Sequence, residues 1–115
     1  MSAAQKPATY LIAFTSPLPG KEAEYNRWYD EVHLREVAAL PGILSGRRFK
    51  LTEAQMGPPL HPHRYMVMYE IENGAAAAVL DRIRAAMPDM RIDPVIDMND
   101  SPSFMVESIG DRYCA

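Results

Sequence analysis

The sequence predicts a single α+β domain whose elements run strand, helix, strand, strand, helix, strand, with the four strands in one antiparallel sheet. Three observations predict it. Four segments carry strand-like alternation of side chains, two carry the three- and four-residue spacing of an amphipathic helix, and the breaks between them are marked by proline and glycine. A chain of 115 residues fits one domain with one core. Its 48% hydrophobic and 23% charged residues are ordinary for a globular protein and argue against disorder.

Residues 1–7 read as a loose arm. The first strand runs from Ala8 to Thr15, with Tyr10, Ile12 and Phe14 on one face and the apolar Leu11 and Ala13 on the other, which suggests cover on both sides. Ser16-Pro17-Leu18-Pro19-Gly20 breaks it. Glu22 and Glu24 then favour the positive end of a helix. Tyr25, Trp28, Tyr29, Val32, Val37 and Leu40 form the apolar stripe of that helix, leaving Glu31, Arg35 and Glu36 free to face solvent. Pro41-Gly42 stops it, since proline turns the preceding residue away from helical angles and glycine accepts the left-handed conformation.

The second strand spans Ile43 to Thr52, with Ile43, Ser45, Arg47, Phe49 and Leu51 alternating against Leu44, Gly46, Arg48 and Lys50. Glu53 to His63 is a loop, because its prolines lack a backbone donor. The third strand, Arg64 to Glu72, sets Tyr65, Val67, Tyr69 and Ile71 against Met66 and Met68. Asn73-Gly74 leads into a second helix, Ala75 to Met87, whose buried side carries Val79, Leu80, Ile83 and Met87; Pro88 closes it. Residues 91–100 read as irregular and acidic, with a short extended piece at Ile92 to Ile96, and Ser103 to Arg112 reads as the last strand.

This is the split βαβ order of a ferredoxin-like fold. Two helices cover only one face of such a sheet, yet strands one and three are apolar on both. A second copy of the chain is the simplest cover, giving a homodimer in which two sheets pack face to face as a dimeric α+β barrel.

Several function classes drop out. A net charge of −3 offers no basic stripe to nucleic acid, and no apolar run approaches the ~20 residues of a membrane span. The first residues lack the pattern of a secretory signal, so the expected location is cytoplasmic. Cys114 has no second cysteine to pair with. His61 and His63 look like a metal pair, but a loop histidine pair with no nearby carboxylate or thiolate completes no ligand set, and no metal is expected.

Asn26-Arg27-Trp28-Tyr29-Asp30-Glu31-Val32-His33-Leu34, followed by Glu36, Val37, Pro41-Gly42 and Arg47-Arg48-Phe49, resembles the EthD-like branch of the dimeric α+β barrel superfamily. The resemblance covers Tyr10 to Glu72 and departs at Arg35, where many relatives have proline. Met90 to Ala115 carries no recognisable match. The resemblance implies a homodimer and a small-molecule substrate. It also implies enzymes without cofactors, which isomerise lactones, cyclise or dehydrate polyketide-like compounds, or oxidise anthrone-like phenols.

His33 sits on or beside the apolar stripe, and histidine is the side chain that both gives and takes a proton near neutral pH. Asp30, one turn earlier, is placed to hold its tautomer, and Tyr29 to donate to a carbonyl or enolate oxygen. Trp28, Phe14, Tyr65 and Tyr69 are candidate walls of a substrate pocket, and of the two arginines on opposite faces of the second strand Arg48 is the one assigned to substrate. Each assignment has a plain competitor: His33 as a satisfied structural residue, the aromatics as core, Asp30 as a surface ion-pair partner. The chemistry that fits best is proton transfer next to a carbonyl, by a cofactor-free lyase or isomerase with His33 as general acid and base. A cofactor-free monooxygenase of the anthrone-oxidising kind and a non-catalytic ligand-binding dimer are the alternatives.

Overall fold

Strand β1 (Thr9–Thr15) lies inside the sheet because both of its faces are apolar. It pairs antiparallel with β3 (Tyr65–Ile71) on one side and β4 (Ser103–Glu107) on the other, and β2 (Ile43–Lys50) pairs antiparallel with the far edge of β3. The four-stranded order is therefore β2-β3-β1-β4, as the βαββαβ sequence predicts. The structure is a computed structural model that describes residues 6–58 and 64–115. The first residues of the expected arm, and His61 and His63 with the end of their loop, lie outside the described residues.

One face of the sheet carries the helices. A first helical rod consists of α1 (Glu22–Trp28), a π turn (Tyr29–His33) and α2 (Leu34–Ala38); the second helix is α3 (Ala76–Ala86), continued by a 3-10 turn at Met87–Asp89. The core between the layers is built from Leu11, Val67, Tyr69 and Ile71 of the sheet against Tyr25, Trp28, Tyr29, Val37 and Val79. Burying each such side chain is worth about 1.5–3 kcal/mol. Gly42 has φ of 90°, and a Cβ there would stand 2.8 Å from Val79 Cγ2, so the turn after α2 needs glycine both for its angle and for its approach to α3.

The structure corrects the expected elements in four places, the fourth in the segment before β4. The first helix is not uniform: its π turn coincides with the Trp28-to-His33 motif, a local widening that often accompanies functional sites. Strand β2 carries a register shift between Ile43 and Ser45. That extra residue breaks the simple alternation, so Ile43 is buried while Gly46 and Arg48 also face the helical layer. Strand β4 ends at Glu107 rather than Arg112.

Residues 90–102 form no regular element, as expected of an acidic stretch, yet they strap across one end of the molecule. The Leu18 N–H donates to the Val95 carbonyl at 2.8 Å and the Asp97 N–H to the Ser16 carbonyl at 3.0 Å, which seats Val95 and Ile96 in the core. The expected extended piece at Ile92 to Ile96 is reduced to a single bridge between Pro17 and Ile96. The other face of the sheet has no second layer among the described residues: Phe104 is 54% exposed and Val106 nearly 40%. No helix among the described residues is long and apolar enough to cross a membrane.

Candidate functional site

A cavity of about 210 Å³ lies between the first helical rod, the sheet and the strap. β1 offers it Leu11, Ala13 and Thr15 through their alternation; the rod offers Trp28, Tyr29, His33 and Val37; β3 offers Tyr69. Its walls are mainly apolar, with Ser101 and Ser103 adding hydroxyls from the strap and β4. Four of its residues come from the helical motif that the sequence singles out.

His33 is held by rings rather than by hydrogen bonds. Its imidazole stacks on Trp28 with centroids 5.0 Å apart and 14° between planes, and meets the edge of Tyr29 at 5.1 Å. Its Nδ1 is buried without a hydrogen-bond partner. Burial holds its pKa below the ordinary value of 6.5, with the nearby Glu36 carboxylate working in the opposite direction. A neutral imidazole at neutral pH is thereby favoured.

The Tyr69 hydroxyl is likewise buried and meets no partner in hydrogen-bond geometry, although the Tyr29 hydroxyl is close enough to perturb it electrostatically. Burial drives the pKa of both phenols far above the usual tyrosine range, assisted by their mutual repulsion for Tyr69 and by the neighbouring Tyr25 for Tyr29. Both therefore stay protonated and act as donors. Gly46 makes room for the Tyr69 ring: a Cβ there would stand 2.9 Å from Tyr69 Cδ1 and 3.0 Å from Leu34 Cδ1.

Arg48, Asp30 and Tyr65 assemble into a separate cluster behind Tyr29. The Arg48 guanidinium lies 4.6 Å from the Tyr29 ring centroid, 5.3 Å from Tyr25 and 5.5 Å from Tyr65, and donates to Asp30 Oδ1 at 2.8 Å and Asn26 Oδ1 at 2.7 Å. The Asn26 amide bonds the Tyr65 hydroxyl at 3.2 Å, and Tyr25 and Thr15 share a hydrogen bond between their hydroxyls. Arg48 is thus committed to its neighbours and does not line the cavity.

Of the sequence-predicted site residues, the structure brings His33, Tyr29, Trp28 and Tyr69 together. It places Asp30 on Arg48 instead of His33, Tyr65 in the arginine cluster, and Phe14 on the reverse face of the sheet from the cavity residues of β1. The carboxylate whose charge reaches His33 is Glu36, expected at the surface but in fact half-buried, with Oε1 sealed and unpartnered. Its Oε2 accepts the Arg91 N–H at 3.2 Å, while the Arg91 carbonyl accepts the Trp28 Nε1–H at 2.9 Å. One residue of the strap is gripped at its N–H and at its carbonyl by side chains that flank His33. The spacing His33-x-x-Glu36 was the available signal, because helical side chains lean toward the N-terminus and Glu36 leans toward His33 while Asp30 leans away.

No known family profile and no curated protein matches the sequence. Solved structures do match the fold. An ethyl tert-butyl ether D (EthD) family protein of Bacillus halodurans superposes with a TM-score of 0.59 at 13% identity, over 89% of this chain and 99% of that one. A candidate monooxygenase of Shewanella loihica gives 0.58 at 15% identity over 96% and 100% of the two chains. HapK of Hahella chejuensis gives 0.53 at 13% identity over 93% and 98%. At these identities the likeness is one of architecture: the chain has the ferredoxin-like α+β fold of the EthD-like proteins.

Proposed function

We propose that this chain is a cofactor-independent lyase or isomerase, working as a homodimer, that moves a proton next to a carbonyl on a small aromatic, lactone or polyketide-like compound. The observation that carries the proposal is that His33, its pKa lowered by burial, lines one mainly apolar cavity together with the Tyr29 and Tyr69 phenols, which burial keeps protonated. A neutral imidazole beside protonated phenols in one concave, mostly apolar site is the arrangement that proton transfer needs.

The chemistry follows from the protonation states. Neutral His33 removes a proton from the carbon beside the carbonyl, and the electron pair moves onto the carbonyl oxygen. The Tyr69 and Tyr29 hydroxyls, kept protonated by burial, donate to that oxyanion. The imidazolium then returns its proton to a different carbon in an isomerisation, or to a departing hydroxyl in a dehydration; in a cyclisation the enolate attacks a second carbonyl whose oxygen takes the proton. A positioned histidine supplies about 10² to 10⁴ in rate. Trp28 provides a flat wall, and Asp30 contributes by holding Arg48 beneath the Tyr29 ring.

The dimer is supported by the uncovered face of the sheet, where Ile12, Phe14, Met66, Met68, Phe104 and Val106 present apolar side chains on the side away from the helices. A second copy meeting that face buries it twice. Sedimentation of the protein and of Phe104→Glu tests this: a dimer that the substitution dissociates is expected, and a monomeric parent chain contradicts it.

A second possibility, cofactor-free oxygenation of a phenol, draws on the Shewanella loihica protein's description as a candidate monooxygenase. The two share a base that ionises the substrate. Screening cyclic ketones, lactones and phenols with the protein and with His33→Ala, in air and under nitrogen, separates them. Turnover that survives without oxygen and is lost in the variant supports the lyase or isomerase; oxygen uptake supports the oxygenase. Binding with no turnover of any compound describes a non-catalytic ligand-binding dimer.

A further inference from the structure

We infer that Glu36 is the positioning partner of His33, the carboxylate that receives the inner N–H of the imidazole when His33 holds a proton. The inference rests on the proposed acid and base role of His33 and extends it to a residue outside the cavity wall. Its ground is that the buried polar atoms left without a partner among the described residues are three, His33 Nδ1, Glu36 Oε1 and Tyr69 Oη. Two of the three belong to residues three apart on one helical rod, and an acceptor there is what a protonated Nδ1 requires.

The surroundings assign the two nitrogens different tasks. Nδ1 is sealed, whereas Nε2 is not among the sealed atoms, which makes Nε2 the nitrogen that exchanges a proton with a substrate. As Nε2 takes that proton, Nδ1 carries the other, and a buried imidazolium without an acceptor would be costly. Glu36 is fixed for the task from the far side: its Oε2 is occupied by the Arg91 N–H, while Oε1 is buried and without a hydrogen-bond partner. The Arg91 carbonyl holds Trp28, on which the imidazole is stacked, so one residue of the strap sets both the ring's platform and its counter-charge.

Among the described residues, Glu36 is the carboxylate whose charge reaches His33. His33 meets Tyr29 of the π turn and shares the cavity wall with Tyr69 of β3, both neutral phenols; from the strap, the Arg91 guanidinium is paired with Asp93 at 2.9 and 3.0 Å, and its charge also reaches Glu36. Asp30 is committed to Arg48 on the other side of Tyr29. Glu36 supports the imidazolium without touching the substrate, the arrangement a carboxylate takes behind a catalytic histidine in unrelated folds.

The test reads His33 directly and needs no substrate. The imidazole nitrogens are titrated by two-dimensional NMR in the parent protein, Glu36→Gln and Glu36→Asp. Glutamine keeps an acceptor for the Arg91 N–H while removing the charge, so the strap stays seated. The expected result is a His33 pKa about one unit lower in Glu36→Gln and largely restored in Glu36→Asp. An unmoved His33 pKa in Glu36→Gln overturns the inference. Should Glu36→Gln not fold, the parent protein decides alone: below its pKa, His33 must show a slowly exchanging, downfield Nδ1 proton, and a freely exchanging one overturns the pairing. A confirmed pairing in a protein that turns over nothing would refute the enzymatic proposal and leave this inference standing.

Discussion

Tyr69→Phe separates a functional hydroxyl from a structural one. The substitution leaves the ring, which Gly46 accommodates at van der Waals limits, and removes only an oxygen that is buried with no hydrogen-bond partner. A buried unsatisfied polar group costs about 1–3 kcal/mol. The Tyr29 hydroxyl lies nearby and offsets part of this electrostatically, so the lower end applies: Tyr69→Phe should be more stable by about 1 kcal/mol, raising Tm by roughly 4 °C. Turnover should fall by about 10², as for loss of one oxyanion donor. Urea and thermal unfolding at a fixed protomer concentration, beside turnover on any substrate found, give both numbers. A variant less stable than the parent would mean that the hydroxyl was satisfied in the fold, and unchanged turnover would mean that it takes no part; either refutes the reasoning.

Other consequences follow from the same geometry. Gly46→Ala forces a Cβ against Tyr69 and Leu34, and is expected to cost about 1–3 kcal/mol in chemical unfolding and to reduce ligand binding with it. Arg48→Met strips the cation from between the tyrosine rings and leaves the Asn26 Oδ1 and Asp30 contacts unmade; because Asp30 is exposed, a loss of about 1–2 kcal/mol is expected in denaturant, and an unaffected midpoint would contradict the cluster's structural role. The His33 pKa lies below its unfolded value of 6.5, so the unfolded chain binds the proton first. The contribution of neutral, buried His33 is fully present above pH 6.5 and is lost as pH falls through the lowered folded pKa. His33→Asn should flatten that part of the stability profile, and an identical slope in the variant would contradict it. Trp28 is the chain's one tryptophan and stacks on His33, so its fluorescence should fall in the same pH window as the imidazolium quenches it.

The sheet was legible in the sequence because β1 and β3 carry uninterrupted alternation, and because Pro41-Gly42 and Asn73-Gly74 punctuate the chain where angles demand it. The extra residue in β2 left no compositional mark: Leu44, 59% exposed, is as apolar as the buried Ile43, so alternation alone placed Ile43 with the wrong neighbours. The π turn was equally silent, since a four-residue spacing from Tyr29 to His33 also suits an α-helix. Within the site, Trp28, Tyr29, His33 and Tyr69 were readable from side-chain type and position. Glu36 was not, because a carboxylate on a helix is ordinarily solvated and its burial here depends on the strap. The strap itself acts through the N–H and carbonyl of Arg91, groups that every residue but proline possesses and no residue type advertises.

The most direct test of proton transfer by His33 is solvent deuterium exchange. A panel of cyclic ketones and lactones is incubated in deuterium oxide with the parent protein and with folded His33→Ala, and the label next to the carbonyl is followed by NMR. At least one compound should exchange on the parent protein faster than in buffer, with the excess lost in His33→Ala by about 10² or more. Equal exchange with both proteins would contradict the account and leave His33 as a structural residue in an apolar cavity.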